Sequence, residues 1–110
     1  MTEPQILRPY NRQEVWSVAE AASWAGRSKR TIRSWCLLYD IGRKINGQWY
    51  VSKVALLMRL EGNRGALVAY LAGDRSSELV TVYFARCGVP LPREFSSEKN
   101  DYRNQSNPNV

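Results

Sequence analysis

The sequence predicts a mostly helical domain that carries a small β-hairpin, and three observations predict it. Ser17-Val-Ala-Glu20 reads as the start of a short, alanine-rich helix. Gly26-Arg27-Ser28 separates that helix from a second one with a clear apolar side. Asn46-Gly47 stands between two runs of β-forming residues. Asn-Gly is the strongest short hairpin signal, because a type I′ turn needs two positive φ values in succession.

The elements follow in chain order. Residues 1–14 form a polar N-terminal arm in which Pro4 and Pro9 interrupt any helix. Ile6, Leu7 and Tyr10 offer loose anchors, and the expected state of such a terminus is a partly ordered lead-in. Ser17 then caps the first helix, with Glu20 completing a capping box and suiting the positive end of the helix dipole. Val18, Ala21, Ala22 and Ala25 give a small-residue inner side, which lets a second helix approach closely. Trp24 is expected in the core or at its edge. Gly26 ends the helix as a residue able to take positive φ.

Ser28 starts the second helix, with Lys29 to Leu38 following. Residues placed 100° apart put Ile32, Trp35, Cys36 and Tyr39 on one side. Arg30, Arg33 and Ser34 face the other way, flanked by Thr31. Leu37 and Leu38 lie near this polar side and are expected to be covered by the hairpin. Ala22, Gly26, Ile32 and Trp35 stand at intervals of four, six and three. That spacing supplies close helix approach, a turn and two core anchors, which is the pattern of a helix-turn-helix.

Asp40 to Gly42 make a turn, and Arg43-Lys-Ile-Asn-Gly-Gln-Trp-Tyr-Val51 reads as the hairpin. Ile45, Trp49 and Val51 are assigned to the core side, and Arg43, Lys44, Gln48 and Tyr50 to the other side or the tip. A two-stranded ribbon is marginal alone, so it must lean on the helices. Ser52 caps a third helix running to about Glu61. Gly62-Asn63 and Gly65 break the chain before a short helix over 66–72. Ser77-Glu78 opens a further segment, 79–87, read as helix from its cap and stop signals, although its β-branched content equally suits a strand. The domain plan is therefore an arm over 1–14, a winged helix-turn-helix over 15–61, an apolar helical extension over 62–95 and a tail over 96–110. The extension either enlarges the core or pairs two copies. The Ser/Asn-rich tail is expected to be disordered.

Charge is concentrated. The chain has 16 Lys and Arg against 10 Asp and Glu, a net +6. Between Arg27 and Lys53 there are seven cations and a single acid, Asp40, so that segment alone carries 7 − 1 = +6. A basic stripe on one side of a helix is the footprint of a polyanionic partner. Cys36 and Cys87 lie among apolar residues and read as small hydrophobes. With no histidine and no Cys-x-x-Cys pair, no metal site, cofactor or catalytic constellation is expected, and the chain is read as a non-enzyme. No apolar run approaches membrane-spanning length, so the expected compartment is the cytoplasm.

Ser17-Val-Ala-Glu-Ala-Ala22, Gly26-Arg-Ser-Lys-Arg-Thr-Ile-Arg-Ser-Trp35, the Gly42-Arg-Lys44 lead-in and Asn46-Gly-Gln-Trp-Tyr-Val-Ser52 resemble the excisionase and MerR-type winged helix-turn-helix family. The resemblance covers roughly 15–61. It implies sequence-specific binding of double-stranded DNA, by excisionases that set the direction of phage or mobile-element recombination or by small transcription regulators of bacterial or phage origin. MerR-type regulators add a long coiled coil and an effector domain, for which no segment here is long enough. The DNA-binding residues expected are Arg27, Ser28, Lys29, Arg30, Thr31, Arg33, Ser34, Arg43, Lys44 and Gln48. Arg30 and Arg33 suit guanine, Thr31 and Ser34 a thymine methyl or phosphate, Ser28 and Lys29 phosphate, and the wing residues the backbone or an adjacent minor groove. Two alternatives stand beside this reading: a DNA-recognition subunit of a larger assembly, such as a phage terminase small subunit, and a protein-interaction module on the same frame. A recombinase or other protein partner, and self-association on DNA, are compatible with the first reading. Trp24, Trp35 and Trp49 are assigned to packing.

Overall fold

Local hydrogen bonds fix the helix ends where the sequence places them. In the computed structural model, which describes residues 3–8 and 10–91, α1 (Val18–Ala25) carries a complete capping box. The Glu20 N–H donates to Ser17 Oγ at 3.1 Å, and the Ser17 N–H donates to Glu20 Oε1 at 2.9 Å. Gly26 takes φ +67°, and the Arg27 N–H turns back to the Ala22 carbonyl at 3.0 Å. That bond satisfies a carbonyl the helix end leaves open. Ser28 caps α2 (Lys29–Tyr39) by accepting the Thr31 N–H at 3.1 Å. Asp40 stops α2 in the left-handed region at φ +56°, which a short polar side chain tolerates.

The hairpin pairs β2 (Gly42–Ile45) with β3 (Gln48–Ser52) across Asn46 and Gly47, at φ +52° and +82°. A third strand, β1 (Val15–Ser17), lies antiparallel to β3, giving the sheet order β1-β3-β2. The sequence reading did not include β1, because three residues are too few to show alternation.

The register corrects two assignments, those of Ile45 and Lys44. A two-residue loop pairs Ile45 with Gln48, Lys44 with Trp49 and Arg43 with Tyr50. Directly opposed residues share a face. Ile45 therefore lies with Arg43, Gln48 and Tyr50, while Lys44 lies with Trp49 and Val51. At the base of β2, a Cβ on Gly42 would sit 2.3 Å from the Tyr50 carbonyl oxygen and 2.8 Å from Cys36 Sγ. Glycine there lets β2 lie directly against β3 and the inner side of α2.

Three further helices complete a mostly helical fold: α3 (Lys53–Leu60), α4 (Arg64–Leu71) and α5 (Glu78–Arg86). Asn63 caps α4 by accepting the Ala66 N–H at 3.1 Å, so Gly65 sits inside the helix and breaks nothing. The β-branched segment after Glu78 is helical because Val80, Tyr83 and Phe84 recur at helical spacing and all three are buried. Leu67, Tyr70, Val80 and Phe84 share one buried cluster with Ile32 and Val54, so the 62–91 stretch completes the core. Residues 92–95 of the expected extension and the expected 96–110 tail fall outside the described residues.

The arm is part of that core, contrary to a loose lead-in. Ile6 and Leu7 are buried, contributing roughly 1.5–3 kcal/mol each. The Leu7 N–H donates to Tyr70 Oη at 3.1 Å, and the Gln5 N–H donates to the Leu71 carbonyl at 2.8 Å. Tyr10 stays exposed. These partners lie more than sixty residues away, as in the 63-residue separation of Leu7 and Tyr70.

Candidate nucleic-acid interface

The α1–turn–α2 unit and the hairpin share one end of the molecule. α2 buries Ile32 and Cys36 and shelters Trp35 partly, which turns its opposite side to solvent. Of the expected DNA-binding residues, Arg27, Ser28, Lys29, Arg30, Arg33, Ser34, Lys44 and Gln48 are exposed, and Thr31 and Arg43 are half-buried. Among the described residues, none of Arg27, Lys29, Arg30, Arg33, Arg43 and Lys44 makes an ion pair; the pairs present are Arg8–Glu3 and Arg86–Glu61. A cluster of like charges left without carboxylates repels itself, and an arriving polyanion relieves that repulsion.

Individual side chains differ in how far they are already held. Thr31 is tied into the cap, its Oγ1 accepting from the Ser28 hydroxyl at 3.0 Å. Its hydroxyl therefore serves the helix start. The Arg27 guanidinium stands 5.7 Å from the centre of the Trp35 ring, and Arg59 stands 4.9 Å from the same ring. Stacking of this kind positions Arg27 at the α1–α2 turn while leaving its N–H groups to bond elsewhere. Lys44 Nζ lies 5.8 Å from the centre of the paired Trp49 ring. Arg43 Nε is sheltered from water and has no acceptor among the described residues. The Tyr50 hydroxyl donates to Gln48 Oε1 at 3.1 Å, which ties together two side chains on the same face of the central strand β3.

Two expectations are corrected at this surface. Leu37 and Leu38 are not covered by the hairpin: they are 70% and 67% exposed. The hairpin leans on the Cys36 side of α2, where Gly42 admits it, and so misses both leucines. Trp24 is not a core residue either, at 48% exposure, and its ring tilts against Trp16 with centroids 4.9 Å apart. Alanines fill the inner side of α1, so no space remains there for an indole. Tyr39 is 37% exposed, with Arg59 4.0 Å from its ring centre.

Behind this surface lies a polar network that the sequence reading missed. Glu14 is buried, and its Oε2 accepts from the Ser52 hydroxyl at 2.5 Å and from the Tyr70 hydroxyl. Burial raises the Glu14 carboxyl above its ordinary value, against the opposing effects of the Ser52 and Tyr70 hydrogen bonds and the Arg75 charge. Burial, followed by the neighbouring Glu14 charge, also raises the Tyr70 phenol. Arg75 is 3% exposed and donates to the carbonyls of Gln5, Arg8, Tyr70 and Asp74 at 2.7–3.0 Å. Ser52 also accepts the Ala55 N–H, so the cap of α3 is part of the same network. Burial pushes the Cys36 thiol up to about 11, in keeping with a packed, unreactive side chain. Glu61 is not simply solvated: it receives Arg86 and the Tyr83 hydroxyl.

Among the described residues, no group of three or more His, Cys, Asp or Glu is placed to hold a metal ion, and no helix is long and apolar enough to cross a membrane. Comparisons with protein-family models, with curated proteins and with solved structures return no match.

Proposed function

We propose that the chain is a winged helix-turn-helix protein that binds double-stranded DNA sequence-specifically, with α2 as the recognition helix and β2–β3 as the wing. Within that class, the reading is of an excisionase-like recombination directionality factor or small transcription regulator rather than an enzyme, acting in the cytoplasm without a cofactor. One observation carries it: the α1–α2 turn, α2 and the adjoining hairpin hold six cations, Arg27, Lys29, Arg30, Arg33, Arg43 and Lys44, with no ion pair among the described residues, on a two-helix-and-hairpin frame. Arg30 and Arg33 reach guanine O6 and N7, Ser34 lies one turn after Arg30 on the same side, and Lys29 with the Ser28 end of α2 meets phosphate. Arg27, Arg43, Lys44 and Gln48 hold the flanking backbone. Thr31 supports the helix start through its hydroxyl oxygen, and its methyl group and hydroxyl proton remain available to a thymine methyl or a phosphate.

The test is a salt series on full-length chain and duplexes selected from random DNA. Four phosphate-facing cations give a slope of about −4 in log K against log salt. A flat line sinks the reading. A second reading, a protein-interaction module on the same frame, has one observation in its favour. A groove of about 460 Å³ between α2, α3 and α4 is lined by the exposed Leu38 and Val68, away from the cationic stripe. Lack of duplex binding, together with a complex that Val68→Asp disrupts, selects that alternative.

A further inference from the structure

Leu37 is the most exposed large apolar side chain among the described residues, at 70%. A single exposed leucine is ordinary, but its position is not. Arg30, Arg33, Ser34 and Leu37 stand at i, i+3, i+4 and i+7, so they form one stripe along the solvent side of α2. The stripe begins at the cationic N-terminal turn and ends beside the wing, where Leu37 and Lys44 line the same groove of about 230 Å³. Leu37 thus follows Arg33 by one helical turn and lines that groove with Arg43 and Lys44 as well as with the acids Asp40 and Glu3, while the Arg27–Lys53 segment around it carries the whole net charge of the chain.

We propose that Leu37 is a specificity-determining residue that reads the 5-methyl group of a thymine in the major groove. The inference rests on the DNA-binding reading above. The occupant is argued from charge complementarity: Arg30 and Arg33 on one side of the leucine and Arg43 and Lys44 on the other outnumber Asp40 and Glu3, of which Glu3 is already paired with Arg8, and that balance suits a polyanion. The major groove of a duplex is a polyanion that also offers an apolar contact, the thymine methyl. A protein partner matched to the same stripe needs acids on both sides of an apolar knob; duplex DNA supplies phosphates and a methyl without further conditions. The helix also sets the spacing. Seven residues at 1.5 Å rise put Leu37 about 10 Å beyond Arg30 along the helix axis, about three base-pair steps. The thymine therefore falls about three base pairs from the guanine that Arg30 contacts, on the wing side. Leu38 is turned from the stripe toward the α2–α4 groove and takes no part.

The experiment uses the full chain and the duplex it selects from random DNA. Each thymidine of that duplex is replaced in turn by 2′-deoxyuridine, which removes only the methyl. At one position, about three base pairs from an arginine-dependent guanine, the native chain loses about fourfold in affinity, the equivalent of about 0.8 kcal/mol for one methylene-sized apolar group. Leu37→Ala binds the thymidine and deoxyuridine duplexes equally, while Leu38→Ala keeps the fourfold difference. Both leucines are exposed, so both variants fold. Equal affinity of the native chain for every deoxyuridine duplex overturns the inference, as does a difference that persists in Leu37→Ala. In both of those cases duplex binding itself stands. No binding to any duplex overturns the DNA reading and this inference together.

Discussion

Arginine does opposite work at two places in this molecule. Arg75 is 3% exposed and spends its guanidinium on four backbone carbonyls, binding the N-terminal arm to the α4–α5 connection. Arg30 and Arg33 are exposed, with no ion pair among the described residues. The same fork of donors is satisfied internally at the back and left open at the front. Burial makes the difference: a charged group withdrawn from water must find partners within the fold, whereas an exposed one is solvated until a ligand arrives. The buried site, the back in this comparison, contributes to stability, and the exposed one, its front, is where the proposed DNA binding falls.

The largest expected effect tests the back. Arg75→Ala leaves four carbonyls short of a donor and removes the cation near Glu14; stability falls by about 3 kcal/mol or more in urea denaturation. A loss below about 0.5 kcal/mol, the usual range for a surface change, breaks the comparison. Next comes the front. Arg30→Ala and Arg33→Ala each lower duplex affinity by about 1–3 kcal/mol, read by fluorescence anisotropy, while urea midpoints stay within about 0.5 kcal/mol of the native value. Unchanged binding in both variants removes the functional assignment of α2.

Glu14 sharpens the contrast through pH. Its carboxyl is raised by burial, so the folded chain holds that proton to higher pH than the unfolded chain does. Its contribution to stability therefore declines as pH climbs from the ordinary carboxyl value of 4.5 through the raised folded value. Glu14→Gln keeps an oxygen acceptor for Ser52 and Tyr70 and removes the decline. Urea midpoints of the two proteins, compared across that window, converge at its acid end and separate in favour of the variant above it. The smallest effect concerns Glu61. Hydrogen bonding from Arg86, then from Tyr83, lowers its carboxyl from 4.5 to about 2. Its stabilisation is present above 4.5 and vanishes as pH falls toward 2. Arg86→Ala therefore weakens the fold slightly at neutral pH, less so in acid, and the deficit shrinks as salt screens the exposed pair.

Much of this frame was legible before folding was considered. The Ser17 and Ser28 caps, the Gly26 turn and the Asn46-Gly47 tip stand where the sequence puts them, because each is settled by atoms within about four residues. The sides of the wing were legible too and were assigned wrongly. A two-residue loop requires Ile45 to oppose Gln48, which already separates Ile45 from Trp49 and Val51. The exposure of Leu37 and Trp24 was not legible. Helical periodicity gives the angle of a side chain around its own axis, but not which neighbour covers that angle.

The sequence by itself determined the local grammar of its first half: the helices α1, α2 and α3 with their caps, where the hairpin turns, and that the cations gather between Arg27 and Lys53. Only the tertiary structure decided that the arm joins the core, that β1 completes the sheet, that Glu14, Ser52, Tyr70 and Arg75 meet, and that the hairpin leaves Leu37 open. Those contacts close over long separations, 38 residues for Ser52–Glu14 and 56 for Tyr70–Glu14. No short-range pattern encodes them. They form because burying the apolar core forces each polar group carried inside to find a partner, wherever in the chain that partner lies.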